Sequence, residues 1–290
     1  MSRPALKAAA ASFEDRMSSR DFQRIAGLIE QEAGIKMPPG KQTMVEGRLR
    51  KRVRALGLDD FAAYCALLFE EGGLDRELTH LINAVTTNKT DFFREPEHFD
   101  FLVDTMVPTL LAKRRETQPL LKIWSAASSN GAEAFTLAMV LSDLKAQRRD
   151  FRFSILGTDI STEVLAHGKR AVYSAEMIAP VPVEMQTRYV MRPRAPGARR
   201  EVRIVPELRR VVNFLRLNLM DASYPFDTDV DVIFLRNVLI YFEKADQAAV
   251  IGRLLGHLRP GGYLVLGHSE SMIGTDLAVR QVAPAVFQKL

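Results

Sequence analysis

From Arg94 onward the chain alternates short strand-like runs with helical stretches, and that alternation leaves few folds open. Strands joined by helical crossovers pair in parallel and bury both faces, giving a sheet covered by helices. A strand at Leu120–Ala126 precedes a helix at about 132–147, and a strand at 153–158 precedes a helix at 161–171. Further on, a strand at Val230–Leu235 leads to a helix at 244–258, and a strand at 263–267 follows the turn Pro260-Gly261-Gly262. The tail, 278–290, reads as two short strands around Pro284, an antiparallel edge hairpin. Between the second and third units, 202–205 and 210–214 read as strands flanking a proline turn. The segment is too long for a plain loop, so an inserted β-subdomain is expected at about 190–214.

Upstream the texture is helical from 18 to 85, with apolar faces such as Phe22, Ile25, Ile29 and then Val45, Leu49, Val53. Pro38, Pro39 and Gly40 break the first helix and Gly57 closes the second. Three regions follow: a small helical domain at 18–85, a linker or lid at 86–95, and the sheet domain at 96–290.

The 290 residues, 47% hydrophobic, suffice for one large and one small folded unit. The apolar run at 8–11 is short and is followed by Glu14, Asp15 and Arg16, so neither a signal peptide nor a membrane span is expected, and the cytoplasm is the expected compartment. Cys65 is the only cysteine, which excludes an internal disulfide; it reads as core packing. The five histidines show no HxxxH or HExxH spacing, so no metal is expected. The net charge of +5 is unevenly spread. Seven basic residues stand against one glutamate between Lys36 and Gly57, and eight arginines against two glutamates between Arg188 and Arg210, so the remainder is acidic. Each patch is either a solvated surface or an attractor of polyanions.

In open α/β sheets ligands sit beyond the carboxyl ends of the strands. After the first strand comes Ser125-Ala126-Ala127-Ser128-Ser129-Asn130-Gly131, small residues that admit a ligand, with Glu133 opening the next helix. The loop lacks the GxGxxG spacing that cradles a pyrophosphate. The second strand ends in Gly157-Thr158-Asp159, a carboxylate placed either for ribose hydroxyls or as a helix cap. Two carboxylates without phosphate-binding glycines suit a cationic nucleoside. The fourth strand ends in the polar pair Arg236-Asn237, and Thr86–Glu95 is positioned to cover the same cleft.

These segments resemble the chemotaxis receptor methyltransferases (CheR type). The resemblance rests on TTNKTDFFRE at 86–95, WSAASSNGAE at 124–133, GTDIS at 157–161, RNVLIYF at 236–242 and GHSE at 267–270, all in family order. It implies an α/β, Rossmann-like S-adenosylmethionine-dependent methyltransferase domain with a small N-terminal all-helical domain and an inserted β-subdomain. It also implies transfer of a methyl group to chemoreceptor glutamates, yielding glutamyl methyl esters and S-adenosylhomocysteine. By resemblance, Asn88, Thr90, Arg94, Glu133, Asp159, Asn218, Leu219, Arg236 and Asn237 hold the cofactor. Arg94 and Tyr241 flank the sulfonium, and Arg48, Lys51, Arg52 and Arg54 on a basic helix meet methyl-accepting receptor helices. A monomer without membrane insertion is expected.

Two departures stand out. The family loop commonly reads STGEEPYS, whereas SNGAEAFT here replaces its first glutamate by Ala132 and its proline by Ala134, while Glu133 keeps the second glutamate. Members that dock to a tethered receptor pentapeptide carry a glycine-marked loop in the β-subdomain; the arginine-rich segment at 193–200 argues against such docking. Two other functions compete. A nucleic-acid methyltransferase would account for the basic patches, but no NPPY-like element follows the fourth strand and few aromatics accompany the arginines. A non-catalytic regulator that keeps the cofactor pocket is the other.

Overall fold

The computed structural model describes residues 16–193, 201–270 and 277–290. It divides into two compact units, one running to Gln31 and resuming at Met37–Val85, the other combining Glu32–Lys36 with Thr86–Leu290.

The first unit is helical: α1 (Ser19–Ala33), α2 (Gln42–Ala55), α3 (Phe61–Phe69) and α4 (Leu74–Val85). Side-chain caps start two of them, Ser18 Oγ accepting from Asp21 N at 3.0 Å and Asp60 Oδ1 from Ala63 N at 2.7 Å. Phe22, Ile25, Leu49, Val53, Tyr64 and Leu81 are buried, so the apolar face of each helix meets the common core. Cys65 is buried among them, and burial pushes its thiol up to about 12, which leaves it inert.

Among its described residues the second unit holds ten strands in chain order: β1 (Leu120–Ala126), β2 (Arg152–Asp159), β3 (Val172–Ser174), β4 (Val190–Met191), β5 (Glu201–Ile204), β6 (Val212–Arg216), β7 (Val230–Leu235), β8 (Leu258–Leu266), β9 (Val279–Ala283) and β10 (Val286–Lys289). The large sheet runs β6-β2-β1-β7-β8-β10-β9, parallel up to β8 and antiparallel from β10 onward. Strand order therefore reverses at β1, the place in an open α/β sheet where ligands bind beyond the carboxyl ends of the strands. The other end of the sheet is tied by Asp231, which is fully buried, accepts from Lys122 N at 2.8 Å and pairs with Arg114 at 2.7 Å and Arg259 at 3.1 Å.

The insert differs from the sequence expectation of a subdomain at 190–214. The small antiparallel sheet is β3-β5-β4, so it begins at Val172 and ends at Ile204. The expected proline turn is a helix, Pro206–Val211, because Pro206 falls in its first turn, where no N–H is needed. The run at 212–216 then joins the large sheet as its edge strand, Ile155 pairing Val212 and Asp159 pairing Arg216. Phe214 explains why. A Cβ built on Gly131, Gly157 or Gly168 would come within 2.7 to 2.8 Å of its ring, so three glycines make the slot that this one side chain fills. Residues 194–200, most of the arginine-rich segment, lie outside the described residues.

Among the described residues no helix is long and apolar enough to cross a membrane.

Candidate active site

The loop after β1 turns through left-handed backbone at Ala127 (φ 54°), Ser129 (φ 51°) and Gly131 (φ 88°) before the helix Ala132–Gln147. Only Gly131 adopts that backbone without a Cβ penalty, and the path brings the loop to the end of β2, where Ser128 N donates to Thr158 O at 2.8 Å. There Asp159, 7% exposed, accepts from Ser129 N through Oδ2 and from Ser161 N through Oδ1, both at 2.9 Å. A carboxylate offers about four acceptor sites, so capacity remains for a ligand. Burial pushes the Asp159 carboxyl above its ordinary value, while the amide donors pull it back. Ser129 Oγ also donates to Asn88 O at 2.8 Å, tying the 86–95 segment to this loop.

A second cluster lies where β1 and β7 end. Glu133 accepts from Ser125 Oγ at 2.6 Å, and its other oxygen stands 3.4 Å from Arg236 Nε. Burial raises the Glu133 carboxyl, with Arg236 and then Ser125 acting against it. Arg236 is also 3.6 Å from Glu95 Oε2 and donates through Nη2 to the Arg94 carbonyl oxygen. Asn237, at φ 59°, donates from Nδ2 to Glu95 Oε1 at 3.2 Å. Arg236 is buried, yet its Nε and Nη1 make no hydrogen bond among the described residues. A buried guanidinium with open donors between two carboxylates is a group shaped for an anionic or zwitterionic ligand.

The structure thus joins Arg94, Glu133, Arg236 and Asn237 in one cluster, and Asn88 with Asp159 in another. The β2 end continues to Asn218 and Leu219, since Leu217 N donates to Asp159 O at 3.0 Å. Asn218 spends its amide on backbone, donating to Glu32 O at 2.6 Å and accepting from Met220 N at 3.0 Å, so it braces this stretch of chain. Leu219 is buried, and its carbonyl accepts from Tyr224 Oη and Arg253 Nη2. Tyr241 ends the 3-10 turn Leu239–Tyr241 that follows Asn237, and its carbonyl accepts from Lys36 N at 3.0 Å. Thr90 lies half-buried in the segment before Arg94. Both alanines of the altered loop, Ala132 and Ala134, are fully buried, so their side chains contribute packing.

Glu95 is the residue that sequence reading missed. It is the hub of the second cluster and sits at φ 55°. Its place beside Arg94 in the FFRE motif was the available signal. Glu95, His98 and His268 also bring ligand atoms within 4.8 Å of one another. Arg236 Nε lies 3.6 Å and Arg94 Nε 4.0 Å from the same carboxylate, and two fixed cations there disfavour a metal ion. His98 is buried, and burial, followed by the Arg236 charge, pushes it down to about 4, so it is neutral at pH 7.

On the basic helix, Arg52 forms a bidentate pair with Glu77 at 2.8 and 2.5 Å, and Arg48 donates to Val85 O at 2.7 Å. The guanidinium of Arg52 is held by a buried carboxylate of its own unit, whereas Lys51 and Arg54 are exposed.

Comparison with known proteins gives one answer. Residues 88–286 match the family described as CheR methyltransferase, SAM binding domain, and residues 20–86 match the CheR methyltransferase all-alpha domain. Chemotaxis protein methyltransferase 2 of Pseudomonas aeruginosa is 36% identical over 275 residues, covering 94% of each chain. The chemotaxis protein methyltransferases of Salmonella typhimurium and Escherichia coli are each 38% identical over 255 residues, covering 88% of this chain and 85% of theirs. The chain belongs to the CheR methyltransferase family and is an S-adenosylmethionine-dependent methyltransferase.

Proposed function

We propose that this enzyme methylates glutamate side chains on the cytoplasmic helices of chemoreceptors, producing glutamyl methyl esters and S-adenosylhomocysteine, and that it acts in the cytoplasm as a monomer. The observation that carries this is the cluster Glu133–Arg236–Glu95–Asn237 at the ends of β1 and β7, with Asp159 at the end of β2. The donor set suits the cofactor: carboxylates for ribose hydroxyls and an ammonium, open N–H groups on Arg236 for a carboxylate, and no phosphate cradle.

When bound, S-adenosylmethionine supplies an electrophilic methyl group on a sulfonium. That methyl group would pass to a substrate carboxylate oxygen, a transfer in which the residues of the chain would hold the two partners in line and would move no proton. A glutamate with an ordinary pKa near 4.3 is already ionised at pH 7, so no general base is required. Asp159 takes the ribose, Glu133 and Arg236 take the methionine end, and Asn88, Thr90, Asn218, Leu219 and Asn237 complete the walls. Arg94 steers the substrate carboxylate, and Tyr241 aligns it with the methyl group. Opposite charges meet and are neutralised, so alignment and exclusion of water lower the barrier.

The basic helix supplies receptor recognition. Lys51 and Arg54 present charge to an acidic receptor helix, while Arg48 and Arg52 support the helix from behind through Val85 and Glu77. The arginine-rich stretch at 193–200 in place of a glycine-marked loop favours direct action on the methylation helices without a tethered peptide.

Incubation with methyl-labelled cofactor and a receptor cytoplasmic fragment tests this. Base-labile methyl incorporated into the fragment, and lost when its glutamates are changed to alanine, supports the proposal. Cofactor binding without transfer would instead make the protein a regulator.

A further inference from the structure

Glu270 closes the GHSE motif and has no part in the cluster described so far. It is 7% exposed, and its carboxylate accepts four backbone N–H groups. Oε1 takes Val238 N at 2.8 Å and Leu239 N at 2.7 Å, while Oε2 takes Asn237 N at 2.9 Å and Gly267 N at 2.7 Å. A carboxylate offers about four acceptor sites, so its capacity is filled. Three of the donors are consecutive amides in the segment after β7, which passes through left-handed backbone at Asn237 and opens the turn Leu239–Tyr241. Consecutive N–H groups that converge in this way form an anion-binding concavity, and Glu270 occupies it.

The grip is tightened by a close approach. A Cβ on Gly267 would stand 2.5 Å from Asn237 Nδ2 and 2.9 Å from its backbone nitrogen, so the segment after β8 lies directly against Asn237. The Asn237 side chain in turn reaches Glu95 Oε1, the carboxylate that pairs with Arg236.

We propose that Glu270 is a positioning residue for the cofactor cleft: by clamping the Asn237–Leu239 amides it holds Asn237, and through it the Glu95–Arg236 pair, in the geometry that binds S-adenosylmethionine. This rests on the proposed assignment of Asn237 and Arg236 to the cofactor. A plain loop brace would affect stability alone, whereas a positioning residue moves cofactor affinity in a folded enzyme and leaves recognition of the receptor untouched.

The test is Glu270→Gln in the full chain. Both oxygens serve two donors each, so either orientation of the glutamine amide points an NH₂ at two N–H groups. The expected result is an S-adenosylhomocysteine Kd raised about tenfold or more, as loss of charge-assisted bonds implies. A matching rise in KM for S-adenosylmethionine is expected, with the KM for a receptor fragment within about twofold of the parent. Gly267→Ala leaves the carboxylate intact and presses on Asn237, so it should give the same split, and it reads the link from Asn237 to the cofactor if Glu270→Gln fails to fold. Folded variants that bind S-adenosylhomocysteine within about twofold of the parent would overturn the proposal. A parent protein that binds none would instead sink the assignment of the cleft itself.

Discussion

At the scale of single residues the site is a balance of buried charge. Arg236 stands between Glu133 and Glu95, and each carboxylate tolerates burial because the guanidinium is there. Arg236→Ala leaves buried Glu133 with no cation beside it and Glu95 with Arg94 alone, and a loss of about 3–5 kcal/mol in the second unit is expected, measured by denaturant unfolding. Arg94 contributes differently, since its side chain is more open and its proposed task is to aim a substrate carboxylate. Arg94→Ala should lower receptor methylation about a hundredfold, the effect of misaligning a reacting group. Full turnover with unchanged cofactor affinity would remove that role. In the helical unit, the Arg52 hydrogen bond holds the Glu77 carboxyl below its ordinary value. A depressed carboxyl contributes stability that is present above its unfolded pKa and lost as pH falls through the folded one. Compared with Glu77→Gln, the parent should therefore lose its advantage below about pH 4.5, read from unfolding midpoints across pH.

At the scale of elements, the edge strand β6 is tied to the β1 loop because Phe214 fills the three-glycine slot behind that loop. Phe214→Ala should cost about 3 kcal/mol and loosen that loop, which a thermal-shift series in S-adenosylhomocysteine would detect as a weakened response. This element also shows where local reading stops. The run at 210–214 reads as a strand in isolation, but nothing local tells whether it pairs with β5 or with β2. The long-range register Ile155 to Val212 decides it. The basic helix α2 gives the opposite lesson. Its charge was plain in the sequence, but the partner that consumes Arg52 lies on α4, 25 residues away. Charge reversal at Lys51 and Arg54 together should raise the KM for a receptor fragment about tenfold and flatten its salt dependence, with S-adenosylhomocysteine affinity unchanged.

At the scale of the whole chain, the alternating pattern after Arg94 made the wound parallel sheet legible, and the strand ends then pointed to Glu133, Asp159 and Arg236-Asn237. Those residues were legible because a charged group at the end of a buried strand seldom serves packing. Glu95 and Glu270 were not, although both lie in motifs, because their roles arise from partners about 140 and 30 residues away that only the closed fold brings near. In the proposed function the ends of β1, β2 and β7 form the cofactor cleft. Calorimetric titration with S-adenosylhomocysteine of the parent and of Asp159→Ala tests it most directly. Saturable one-to-one binding by the parent, weakened about tenfold or more in the folded variant, is the predicted result; no uptake by the parent, or equal affinity in both, would contradict it.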